Sequence, residues 1–163
     1  MSTAKKIVIA VSVIVCLILF GIWYTRPLPF DTFFSYAEQV TEIQAYYKEP
    51  GGERIERQLT PEVPRFTSVM ELLQNASYRR SLRMLLPQNG MRISYEETDI
   101  WGLSLCTEEA IPFPGGLQTG AQFRVSMSAG QLRFEDLRDP DRVWIVSADN
   151  ENTFSKTIAQ ILK

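Results

Sequence analysis

The chain has 163 residues with 17 basic and 19 acidic side chains, a formal charge of −2 and no histidine. That is one domain's worth of chain at roughly 100–200 residues per domain, which excludes a multidomain enzyme. It lacks the basic footprint that nucleic acid requires, and without imidazole it cannot build Ser-His-Asp, Cys-His or most catalytic zinc sites.

Residues 7–24 read IVIAVSVIVCLILFGIWY, a run without charge in which Ser12 and Cys16 are small enough to tolerate lipid. As a helix these eighteen residues span about 27 Å, close to the roughly 30 Å hydrocarbon core of a bilayer. A helix also satisfies its own backbone there, and Trp23 and Tyr24 fall where an interfacial aromatic belt would lie. Lys5 and Lys6 precede the run and Arg26 follows it, so the positive-inside rule puts residues 1–6 in the cytoplasm and the C-terminal part outside. Bulky Trp23 disfavours a small-x-small cleavage site, and Ile14 and Val15 before Cys16 disfavour a lipoprotein. The run is apolar all round, unlike a one-stripe soluble helix. The expectation is an uncleaved single-pass anchor over residues 7–24, located in the cell membrane.

Pro27-Leu28-Pro29 then stops the helix, and residues 25–39 read as a juxtamembrane linker. Within it Asp31 could cap a short helix carrying Phe33, Phe34 and Ala37, or the segment could lie along the membrane surface. An outer domain is expected over residues 40–163. Ile43, Ala45 and Tyr47 alternate with Glu42, Gln44 and Tyr46, Pro50-Gly51-Gly52 supplies a turn, and Ile55 and Leu59 follow, which predicts a hairpin. Thr60-Pro61 predicts a helix start, with Val63, Phe66, Met70 and Leu73 on its apolar face.

Further strand signals lie around Tyr78, at Met91, Ile93 and Tyr95 after an Asn89-Gly90 turn, and at Trp101, Leu103 and Leu105. Residues 108–120, with Pro112, Pro114, Gly115, Gly116 and Gly120, read as the longest loop. Phe123, Val125 and Met127 with Leu132 and Phe134 predict a second hairpin, and Val143–Val146 another strand after Asp139-Pro140-Asp141. Asp149-Asn150 caps a closing helix with Phe154, Ile158, Ile161 and Leu162. The predicted order is ββα, about five strands, then α, an α+β antiparallel-sheet domain with two packed helices.

Four features carry possible chemistry. Arg79 and Arg83 would share one face of a strand over 78–85 and could grip a carboxylate or phosphate, or simply pair with Glu56, Glu96 and Glu97 on a solvated face. Glu135, Asp136, Asp139, Asp141 and Asp149 are acidic and clustered, but they lack calcium-loop spacing and suit turns and caps, so no metal is assigned. Phe113, between Pro112 and Pro114, could dock a partner or pin its loop. The aromatic residues, among them Trp101, Trp144, Tyr46, Tyr47, Tyr78 and Tyr95, are expected mostly in the core, and any that face outward would make a protein or glycan contact surface. Outside these four features, Cys106 stands apart from Cys16 and reads as a small packing residue rather than a nucleophile. No cofactor motif and no catalytic pair emerges. The partners expected are the membrane itself and a protein at its surface.

The helix ending Leu72-Leu73-Gln74-Asn75, the run Tyr78-Arg79-Arg80-Ser81-Leu82 with Leu86-Pro87, the Trp101-Gly102-Leu103 strand and the closing helix come together after one N-terminal span. In this order they resemble a group of small single-pass exported proteins of Gram-positive bacteria that carry no assigned activity. The resemblance covers most of residues 40–163 and implies an extracytoplasmic location and this fold, and it transfers no catalytic residue. The function expected is a membrane-anchored extracytoplasmic binding module. The alternatives are a tethered hydrolase using carboxylates without histidine, and an accessory subunit acting through Ser12, Cys16 and Gly21 of its span.

Overall fold

A computed structural model describes residues 3–48, 51–81, 100–113, 116–128, 131–139 and 141–163. Helix α1 (Thr3–Tyr24) is followed by β1 (Glu42–Lys48), β2 (Arg54–Leu59), α2 (Pro64–Asn75), β3 (Tyr78–Arg80), β4 (Ile100–Phe113), β5 (Gly116–Ser128), β6 (Gln131–Asp136), β7 (Val143–Ala148) and α3 (Glu151–Leu162). The chain is therefore α+β, with an apolar N-terminal helix, an antiparallel sheet and two packed helices. In α1 the stretch Lys5–Tyr24 has a mean hydropathy of 2.8, none of it is buried, and it is long and apolar enough to cross a membrane. Thr25 ends the helix by directing both its N–H and its hydroxyl to the Gly21 carbonyl, at 3.0 and 2.8 Å, and Pro27 prevents continuation.

The described strands form one seven-stranded sheet in the order β2-β1-β4-β5-β6-β7-β3, every neighbour antiparallel. Period-two alternation gives the sheet two unlike faces. Ile43, Tyr47, Trp101, Leu103, Leu105, Phe123, Val125 and Phe134 are buried on one face, against Phe66, Val69 and Leu73 of α2 and Phe154, Ile158 and Leu162 of α3. Three polar ties fix the layers. The Trp101 indole donates to Ser155 Oγ at 2.9 Å, and the Tyr78 phenol donates to the Leu73 carbonyl at 2.8 Å. Arg57 donates to the carbonyls of Leu162 and Lys163 at 2.7 and 2.8 Å, placing a cation at the negative end of α3.

Three elements differ from the sequence expectation. Residues 25–39 are not a free linker. Leu28 exchanges two backbone hydrogen bonds with Tyr78, and Leu28, Phe30, Phe33, Phe34 and Ala37 are all buried in the domain core. Phe30 meets the rings of Phe34, Tyr78, Phe123 and Phe134 at centroid distances of 5.6–6.4 Å. A local pattern of prolines and aromatics does not reveal this, because the partners come from strands some fifty to a hundred residues downstream.

The expected loop at 108–120 is instead the far end of the β4–β5 hairpin, paired through Thr107↔Gly120, Ile111↔Gln118, Pro112↔Leu117 and Phe113↔Gly116. Pro112 is tolerated because, among the described strands, none flanks β4 at that level and needs its missing N–H. Helix α2 begins at Pro64 rather than Pro61. Inside a helix the Pro64 ring would meet the carbonyl of Thr60, so the proline takes the first helical position and Thr60–Val63 forms a turn, with Val63 N–H on the Thr60 carbonyl at 2.9 Å. The expected strand at Met91–Tyr95 lies outside the described residues.

If the aromatic seat of Phe30 holds residues 28–40 in place, Phe30→Ala lowers the stability of the full chain in detergent by about 3–5 kcal/mol. Urea unfolding measures this, and a change within experimental error would return the segment to linker status.

Candidate functional site

The second face of the sheet is polar. Register places Gln44 between Gln58 and Ser104, Ser104 opposite Arg124, and Arg124 opposite Glu135, so these side chains form a continuous row across five strands. Glu42, Gln44, Tyr46, Arg54, Glu56, Arg57, Gln58, Ser104 and Arg124 line an open groove of about 630 Å³.

Its floor depends on a glycine. Gly102 lies opposite Tyr46, and a Cβ at this position would overlap the Tyr46 ring, so only glycine lets the ring lie across β4. The Arg54 guanidinium stacks 4.3 Å from the centre of that ring while its Nε is 2.9 Å from Glu56. Gln44 Nε2 donates to Glu42 at 2.9 Å, and Glu135 bridges Arg124 and Arg133 at 3.4 and 2.8 Å. The groove thus offers guanidinium and amide donors, carboxylate acceptors and one aromatic wall. These suit recognition of an extended polar chain. The Arg54–Glu56 pair is well exposed and contributes little stability, so it can be exchanged for a partner's groups at small cost, whereas Glu135 is mostly covered.

Of the residues singled out from sequence, the described Arg79 does not join this groove. Arg79 is on β3 at the opposite edge of the sheet from β2, half exposed and 3.7 Å from Asp149; the Glu56 considered as its partner pairs with Arg54 instead. Arg83 lies outside the described residues. Phe113 ends β4, paired with Gly116, and its side chain lies outside the described residues.

Within the acidic set, Asp136, Asp139 and Asp149 pair with Arg138, Arg142 and Arg79, and Glu135 belongs to the polar row. Arg138 grips Asp136 through two 2.7 Å bonds, with the two side chains 9% and 3% exposed, and its guanidinium lies over Phe34 and Tyr36. Asp139 is 3.1 Å from Arg142, and its Oδ1 accepts the Asp141 N–H at 3.2 Å. Among the described residues no group of three metal-ligating side chains converges.

Cys106 is buried, and burial followed by the nearby Glu42 charge pushes its thiol above the usual range, the opposite of nucleophile activation. Burial likewise raises the Tyr78 phenol, which stays protonated as the donor to Leu73. No family model, curated protein or solved structure matches the chain.

The groove residues had a sequence signal in the alternation Glu42, Gln44, Tyr46. What alternation lacks is the strand order that sets β2 and β5 beside them. The Tyr46–Gly102 seat gives a sign-reversing prediction. Gly102→Val costs about 1–2 kcal/mol in the wild-type background by displacing the ring, and is neutral or stabilising by up to ~1 kcal/mol in Tyr46→Ala, where only the strand preference of valine remains. Equal effects in both backgrounds, measured by a double-mutant cycle, would contradict the seat.

Proposed function

We propose that the protein is a membrane-anchored binding module. Helix α1 spans the bilayer with Lys5 and Lys6 on the cytoplasmic side, and the α+β domain stands outside, presenting the polar sheet face to a protein partner near the membrane. The observation that carries this reading is the pairing of an apolar helix with no buried residue and a domain whose helices cover only one face of its sheet. An unburied apolar helix of this length is costly in water and stable in lipid.

The domain is also tied closely to the helix. Arg80 lies 5.8 Å from the Tyr24 ring at the end of α1 and 5.8 Å from Phe33 in the domain, and Leu28 is already bonded to β3. Little slack remains between span and domain, which favours a partner at the bilayer surface over a distant one.

A photo-crosslinking side chain introduced in the native host at Gln58 in the groove, Glu71 on the exposed side of α2 or Ile14 in α1 tests the assignment. A discrete adduct from Gln58, abolished by Arg124→Glu, is expected. Adducts from Ile14 alone would move the contact to the span, and adducts from Glu71 alone would move it to the helical layer.

A further inference from the structure

The register of the central hairpin shows a feature that neither the core nor the groove uses. The start of β1 at Glu42 is level with Cys106, and the end of β6 at Asp136 is level with Phe123. Past this line no described strand flanks β4 or β5. The two continue as a two-stranded ribbon, Thr107–Phe113 against Gly116–Gly120. Its reach beyond the sheet is set by the shorter β5 side at about 15 Å (3.3 Å per residue), the register shift between Thr107 and Ile111 taking up the extra residues of β4.

The same register fixes which end of the domain the ribbon leaves from. Strand β7 starts at this end, because Val143 pairs with Glu135. Strand β3 runs toward it, because Tyr78 pairs with Ala148 and Arg80 with Val146. Leu28 is antiparallel to Tyr78, so the chain preceding Leu28, which leads back to α1, lies toward the same end. The Arg80 guanidinium over the Tyr24 ring agrees with this. Span and ribbon therefore depart from one end of the sheet, α1 beside the β3 edge and the ribbon four strand positions away, about 19 Å at 4.8 Å per strand.

The ribbon's composition matches that placement. From Ala110 to Phe123 the chain carries no charge, and Ile111, Pro112, Phe113 and Leu117 stand at its far register positions, with Glu108 and Glu109 closer to the sheet. An isolated two-stranded ribbon is marginal in water, and its free backbone edges forbid deep burial in hydrocarbon. The interfacial region of a bilayer meets both conditions, since apolar side chains leave water there while headgroups and water satisfy the edges.

We infer that the far end of the β4–β5 ribbon is a second membrane contact, an interfacial anchor for a phospholipid surface. The inference rests on α1 being the span. Two contacts about 19 Å apart restrict rocking of the domain and fix the direction in which the polar groove faces.

The test uses the full chain in phosphatidylcholine–phosphatidylglycerol vesicles, with both native cysteines replaced by serine and an environment-sensitive fluorophore on one introduced cysteine. The probe positions are Phe113→Cys, Leu117→Cys (which keeps Phe113), Ile14→Cys in α1 and Glu71→Cys on the exposed side of α2. Nitroxide-labelled lipid is expected to quench the probes at 113 and 117 several-fold more than the probe at 71. Quenching at 14 with none at 113 and 117 would overturn the second contact and leave the span intact. Absence of quenching at all four positions would remove the span and this inference with it. Probes at 113 and 117 shielded from aqueous iodide yet unquenched by lipid would assign the ribbon to a protein contact and likewise overturn it.

Discussion

The seating of residues 28–40 in the core is the constraint on which the rest of the structure depends. Phe30, Phe33 and Phe34 fill the space between the sheet and the helical layer, and the rings around them come from β3, β5, β6 and β7. Each buried phenylalanine contributes about 1.5–3 kcal/mol through area removed from water, and well-oriented ring pairs add about 0.5–1.5 kcal/mol each. The buried Asp136–Arg138 pair closes one side of the cluster, its guanidinium lying over Phe34 and Tyr36. Such a pair is weak evidence for net stability, but removing one partner strands a buried charge, and the pair shapes the turn after β6, whose Leu137 N–H bonds the Gln122 carbonyl of β5 at 2.9 Å. The stretch that leaves the apolar helix is thus the stretch that completes the domain.

This arrangement has a functional consequence. A domain on a flexible stalk samples many orientations, whereas one whose first core residue is Leu28, four residues beyond α1, is held close to the helix end. The helical layer and the aromatic cluster use one face of the sheet, which leaves the row of Gln58, Gln44, Ser104 and Arg124 on the other. The groove is polar because its strands alternate. Its floor forms where Gly102 lets the Tyr46 ring lie across β4.

Much of the fold was legible wherever local periodicity coincided with tertiary burial. Ile43, Ala45 and Tyr47, the β5–β6 alternation and the face of α3 all show spacing that matches the face they bury. The failures share one cause, which is that long-range partners outweigh local chemistry. Prolines and glycines at 112–120 signal a loop, yet the two chains pair with each other where no third strand asks for a proline N–H. The aromatics at 30–34 lack a period, yet they are among the most buried residues of the chain. The candidate site was less legible. Arg79 attracted attention through its neighbours in sequence, whereas the groove residues are drawn from four strands and become neighbours only through the order β2-β1-β4-β5.

The most direct test of this account is amide hydrogen exchange on the full chain in lipid nanodiscs, read at Leu28, Tyr78 and Val125. Leu28 and Tyr78 donate to each other's carbonyls at 2.8 and 2.9 Å, and Val125 sits in the centre of the sheet. If the segment after α1 is part of the core, Leu28 exchanges within about tenfold of Tyr78 and Val125, through the same cooperative opening. Exchange of Leu28 at the rate of an unprotected amide, with Val125 still protected, would contradict the account and detach the domain from its helix.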